Sequence, residues 1–133
     1  MSETPIRPKN ASSGIFSIAF HDAMRGTAVG GDYAKPTDSP PPNVLTTTDS
    51  GQTWRVEVPT DPSGLFLSSV AYSSGVATWV SGSGGANFHK DGAGWVNEGK
   101  QPFNALAFPS AKVGWAVGPK GTVARWSAEG RVP

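Results

Sequence analysis

The sequence predicts an all-β chain built from repeated antiparallel sheets, and three observations carry that expectation. Apolar and polar residues alternate over short strings, the two-residue period of a strand, and no stretch shows helical periodicity. Seventeen Gly and twelve Pro, 29 of 133 residues, break these strings at turns, while five Trp and six Phe supply the bulk of a packed interior. The chain also repeats itself, which decides how the strands are grouped.

The related strings SIAF (Ser17 to Phe20), SVAY (Ser69 to Tyr72) and ALAF (Ala105 to Phe108) open three units. Each is followed by a second string centred on Val29, Val80 or Val117, then by a Gly-rich turn and a third string. Those third strings are NVLTT from Asn43, ANFHK from Ala86 and TVARW from Thr122. Phe20 and Tyr72 are 52 residues apart, whereas Tyr72 and Phe108 are 36 apart. The excess lies in an insertion, Asp32 to Pro42, between the second and third strands of unit 1.

Two units end in a turn that leads to Trp. In TTTDSGQTW (Thr46 to Trp54) the Asp can accept hydrogen bonds from backbone N–H groups just downstream, the Gly supplies a positive φ, and the Thr hydroxyls brace the turn. This is hairpin chemistry. Asp49 as a general acid or metal ligand would need convergent partners that the motif does not contain.

Thr47, Asp49, Gly51, Thr53 and Trp54 follow the pattern S/T-x-D-x-G-x-T-W and resemble the Asp-box of bacterial neuraminidase repeats. Asp91, Gly92 and Trp95 look like a second copy shortened by one residue, and Ser127, Glu129 and Gly130 like a loose third. With the strings GIFSIAF to GTAVGGDY and FNALAF to GWAVG, the chain is similar to β-propellers of the photosystem II assembly factor type, also called sialidase-like, from about Gly14 onward. The resemblance implies blades of four antiparallel strands, with the Asp-box between the third and fourth.

On that reading residues 14–63 form blade 1 with its insertion at 32–42, residues 64–101 form blade 2, and residues 102–133 form an incomplete blade 3. Propellers have about four to eight blades, so three are expected to close into a six-bladed ring by homodimerisation, with a nine-bladed trimer or a truncated half of a longer propeller as the alternatives. The N-terminal segment 1–13 is expected to complete or cover the last blade of a partner chain. Open blade faces and an unpaired strand edge are aggregation hazards that closure removes.

Eleven basic and ten acidic residues are scattered without a run, which disfavours nucleic acid and membrane partners. The absence of Cys removes disulfides, thiolate catalysis and the usual zinc sites. No apolar run reaches the length of a membrane span and MSETPIRPKN lacks a signal-peptide core, so the compartment stays open. His21 and His89 are isolated, and SGSGGAN (Ser81 to Asn87) lacks the last Gly and the helix of a phosphate loop. No cofactor, metal or catalytic residue is therefore expected.

The insertion lies on the side of the blade opposite the Asp-box turns, where propellers commonly bind ligands. Tyr33 and Lys35, with Lys120 in the equivalent GPKG turn of unit 3, are the expected ligand or partner contacts. All five Trp are expected in the core, Trp54 and Trp95 between blades. The sequence favours a non-catalytic scaffold or binding module for a protein partner over a sugar-binding lectin or a sialidase-like enzyme. A sialidase would need three converging Arg and a Tyr nucleophile beside a Glu, and Arg7, Arg25, Arg55, Arg125 and Arg131 are too unevenly placed to supply the cluster.

Overall fold

Alternating side chains bounded by Gly-rich turns give three antiparallel sheets in the computed structural model, which describes residues 11–39, 43–57, 64–73, 77–92 and 94–128. The first sheet runs β1 (Ser13–Phe20), β2 (Gly26–Asp32), β3 (Val44–Thr47) and β4 (Arg55–Val56). The second runs β5 (Ser69–Ser73), β6 (Ala77–Gly82), β7 (Ala86–Lys90) and β8 (Trp95–Gly99). The third holds β9 (Ala105–Ser110), β10 (Val113–Gly118) and β11 (Thr122–Ser127), with a 3₁₀ turn at Pro119–Gly121.

Each strand pairs with its sequence neighbour, so each sheet is an up-and-down meander, four-stranded twice and three-stranded once among the described residues. Of the N-terminal segment expected to exchange between chains, residues 1–10 lie outside the described residues, as do Glu129 and Gly130 of the loose third box and residues 40–42 of the insertion.

The first strands pack side by side, β1 against β5 and β5 against β9. Because side chains alternate across a strand, each sheet turns one face to the sheet before it and the other to the sheet after. In β1, Ser17 and Ala19 face the second sheet: the Val70 N–H donates to Ser17 Oγ at 3.2 Å, and Ala19 packs on the core. Ile18 and Phe20 point the other way and are exposed.

The core lies between the first two sheets, where Val29, Val44, Leu67, Val70, Val80, Ala86 and Phe88 form one buried cluster flanked by Leu65 and Trp95. The start of β1 and the linker before β5 pass very close to the second strands of the first and second sheets. A Cβ on Gly30 would strike the Gly14 carbonyl, and one on Gly82 the Phe66 carbonyl. Only glycine allows that approach.

The second and third sheets meet through aromatic rings. Trp79 stacks on His89 and on Phe108, each at 4.7 Å between centroids, and meets Trp126 edge-on at 4.8 Å. Burial of all five Trp does not hold. Trp79 is 7% exposed but Trp115, in the corresponding place on β10, is 43% exposed, because no described sheet lies beyond the third. Trp54 is half-buried and meets Phe20 edge-on at 6.1 Å.

Candidate functional site

The insertion after β2 is built around two buried polar residues. Asp32 and Ser39 are each 1% exposed; Ser39 Oγ accepts the Asp32 N–H at 2.7 Å and Asp32 Oδ1 accepts the Ala34 N–H at 2.9 Å. Gly31 takes a φ of 129°, and a Cβ there would strike Ser39 Oγ, so the loop can fold back only at a glycine. Pro36 O then accepts the Phe66 N–H at 3.0 Å, and Ser39 N–H donates to Gly64 O at 2.9 Å. The loop thus braces the linker between the first and second sheets, which its Pro-rich sequence does not reveal.

Tyr33 and Lys35 project from this brace as exposed residues, and the Tyr33 ring meets Phe16 edge-on at 6.1 Å. Lys120 is exposed in the 3₁₀ turn after β10, held at a left-handed φ of 61°. All three follow the second strand of a sheet, so they share one end of the strands. They belong to the first and third sheets, and the second sheet's β5 packs against both β1 and β9.

At the other end, the Thr47–Trp54 turn forms a closed hydrogen-bond set. Asp49 Oδ1 accepts from Thr47 Oγ1 at 2.8 Å and from the Thr53 N–H at 2.9 Å, while Thr53 Oγ1 donates to Oδ2 at 2.5 Å. Thr47 Oγ1 in turn accepts the Gly51 N–H at 3.0 Å, and Gly51 has a φ of 84°. Donors from the Thr53 hydroxyl, the Thr53 N–H and Thr47 hold the Asp49 carboxyl below its ordinary pKa. Ser50 ties the turn to its neighbour, donating from N to Met24 O and from Oγ to Ala23 O, each at 2.9 Å.

That neighbouring turn has its own carboxylate. Asp22 accepts from the N–H groups of Arg25 and Met24 and from the Arg25 guanidinium, and these bonds lower its pKa to about 2. In the second sheet Asp91 is placed differently from Asp49, with Oδ2 3.8 Å from His89 Nε2; Gly92 is exposed and Trp95 half-buried. His89 Nδ1 lies 2.7 Å from Glu98 Oε2 without the geometry of a hydrogen bond, and the imidazole stacks on Trp79. His21 meets Tyr72 edge-on at 5.0 Å. Among the described residues no group of three or more His, Asp or Glu side chains converges as a metal site would require.

A cleft of about 490 Å³ opens between the second and third sheets, walled by Trp79, Phe103, Phe108 and Trp126, with Glu98 and Lys100 contributing charge. Small residues on the third sheet, Gly114, Ala116 and Ala124, leave this space, where the junction of the first two sheets is filled by the core. Sequence reasoning missed it because it depends on side-chain volumes across two sheets.

Also missed were polar latches between successive sheets. Ser69 Oγ accepts the Leu106 N–H at 3.0 Å, repeating the Ser17 to Val70 bond one sheet on. Asn43 Nδ2 donates to Leu65 O and Asn87 Nδ2 to Gln101 O, each at 2.5 Å, so a side-chain amide holds both linkers. The signal was present in the Ser that opens SIAF and SVAY. At the corresponding positions the third unit has Ala105, and Thr122 and Val123.

No family model matches the chain, and no curated protein matches it. Among solved structures it is similar to a chain described as YCF48 bound to D1 peptide, with a TM-score of 0.70 at 18% identity. The match covers 91% of this chain and 39% of the other, so the chain spans well under half of that protein's length. Taken with the three successive meanders, the likeness supports a propeller-type fold in which each sheet is a blade. Among the described residues no helix is long and apolar enough to cross a membrane.

Proposed function

We propose that the chain is a non-catalytic propeller scaffold that binds a protein segment and closes into a ring with further copies of itself. The observation that carries the binding half is the likeness in fold to a propeller holding a peptide. Tyr33, Lys35 and Lys120 supply an amphipathic ring and two cations at one end of the blades, suited to an extended peptide with acidic character. The Thr47, Asp49, Gly51, Thr53 and Trp54 turn acts as an Asp-box that holds its hairpin together and touches no ligand, while Asp91, beside Gly92 and Trp95, turns its carboxylate toward His89 instead.

The self-assembly half rests on two uncovered apolar faces. Phe16, Ile18 and Phe20 are exposed on blade 1, and Trp115, Val117 and Val123 on blade 3. Faces of this composition are normally covered. A ring of two copies has six blades, and one of three copies nine.

Panning a display library of extended peptides against the immobilised chain tests the binding reading. Enriched peptides are expected to bind at least about tenfold more weakly to Tyr33→Ala or Lys35→Ala, as for an interface centre. A glycan array that gives signal while the peptide library gives none would overturn the protein-binding reading in favour of a lectin.

A further inference from the structure

We propose that Trp115 of one copy stacks on Phe20 of a second copy, in the register that Trp79 makes with Phe108 inside one chain. This rests on the self-assembly read above and specifies its contact. The position three residues before the close-approach glycine of each second strand is Thr27, Trp79 or Trp115, and the last residue of each opening string is Phe20, Tyr72 or Phe108. At both junctions inside the chain these two positions meet. Thr27 Oγ1 and the Tyr72 hydroxyl are 2.6 Å apart, and the Trp79 and Phe108 rings stack at 4.7 Å. The members left over are Trp115 on the outer face of blade 3 and Phe20 on the outer face of blade 1, both 43% exposed.

Both ends are prepared for that contact. Trp79 is sandwiched, with His89, its cross-strand partner, on one side and Phe108 on the other. Trp115 has the first half of the same sandwich: its cross-strand partner Arg125 holds its guanidinium 5.9 Å from the indole centroid. Phe20 is seated as Phe108 is, each ring covering a glycine, Gly26 or Gly114, whose Cβ would collide with it. A trailing face that fits the leading face of an identical chain is heterologous, and such contacts close into a ring when the rotation allows.

The junction between copies differs from those within the chain in one respect. With Ala105 in place of Ser17 or Ser69, it lacks the serine latch, and with Thr122 and Val123 it lacks the amide latch. It is held by ring stacking and apolar burial alone. Installing the hydroxyl by Ala105→Ser gives Oγ the Ile18 N–H of the second copy, the residue that corresponds to Val70 and Leu106.

The chain contains no Cys, so single cysteines report contacts without background. Phe20→Cys and Trp115→Cys variants are mixed and treated with a short bis-maleimide, with circular dichroism confirming that each is folded. Linked dimers are expected from the mixture and from neither variant alone. By light scattering across a dilution series, Ala105→Ser is expected to tighten self-association about fivefold, the net effect of one hydrogen bond, and Trp115→Ala to weaken it at least about tenfold. Wild-type dimers or trimers that yield no mixed cross-link would overturn the register while leaving self-assembly standing. A wild-type chain that is monomeric at every concentration would overturn both.

Discussion

Ser69 Oγ accepts the Leu106 N–H at 3.0 Å, across the junction between blades 2 and 3. Ser17 and Val70 make the same bond one blade earlier, at 3.2 Å. The inner strands therefore engage each other by a repeated side-chain bond as well as by apolar packing.

Ser17→Ala and Ser69→Ala should each lower stability by about 1 kcal/mol, since each leaves a main-chain N–H without its acceptor. The bonds lie at different junctions, so the double variant should lose the sum to within about 0.5 kcal/mol. Urea unfolding should show a lower midpoint with an unchanged slope.

Trp79→Ala should be the most damaging aromatic substitution. The ring is buried and touches His89, Phe108 and Trp126, and its indole N–H donates to Ser73 Oγ at 3.3 Å. Loss of about 3 to 5 kcal/mol is expected from the lost burial and the cavity together. Thermal unfolding of Trp79→Ala beside Trp115→Ala, at a concentration where the chain is monomeric, checks the contrast. Trp115→Ala should be nearly silent there.

Gly82→Ala and Gly30→Ala should prevent normal folding, because the added methyl meets rigid main chain at the Phe66 and Gly14 carbonyls. Gly92→Ala is the control: a Cβ there meets nothing within 4 Å and its φ is not positive. It should be neutral or slightly stabilising. Soluble yield and far-ultraviolet circular dichroism separate the two classes.

Acid should act partly through the turn before β2. The Asp22 pKa falls from 3.8 to about 2 on folding, so its contribution is fully present above about pH 3.8 and is lost as pH falls towards 2. Asp49 shifts in the same direction. Urea midpoints measured at neutral pH, near pH 4 and near pH 2.5 should decline over the lower interval for wild type. Asp22→Asn should start lower at neutral pH and decline less.

Much of the architecture was legible because it is local. SIAF, SVAY and ALAF mark the first strands because alternation fixes which side chains share a face. The Asp49 turn was legible too, since a carboxylate, a glycine and two threonines at that spacing have few other uses. The sequence did not show that Asp32 and Ser39 would be buried beneath the insertion, or that Pro36 would brace the linker at Phe66. The first is a fold-back within one loop and the second joins residues 30 apart, and local periodicity specifies neither.

The sequence by itself determined the short strands and the alternation of side chains along them. Only the tertiary structure decided which faces are covered. Trp79 and Trp115 occupy the same place in similar strands, yet one is buried and the other exposed. The difference is that the next sheet brings Phe108 to Trp79, whereas no described strand lies beyond Trp115. Burial belongs to the pair of surfaces, and periodicity specifies only one of them.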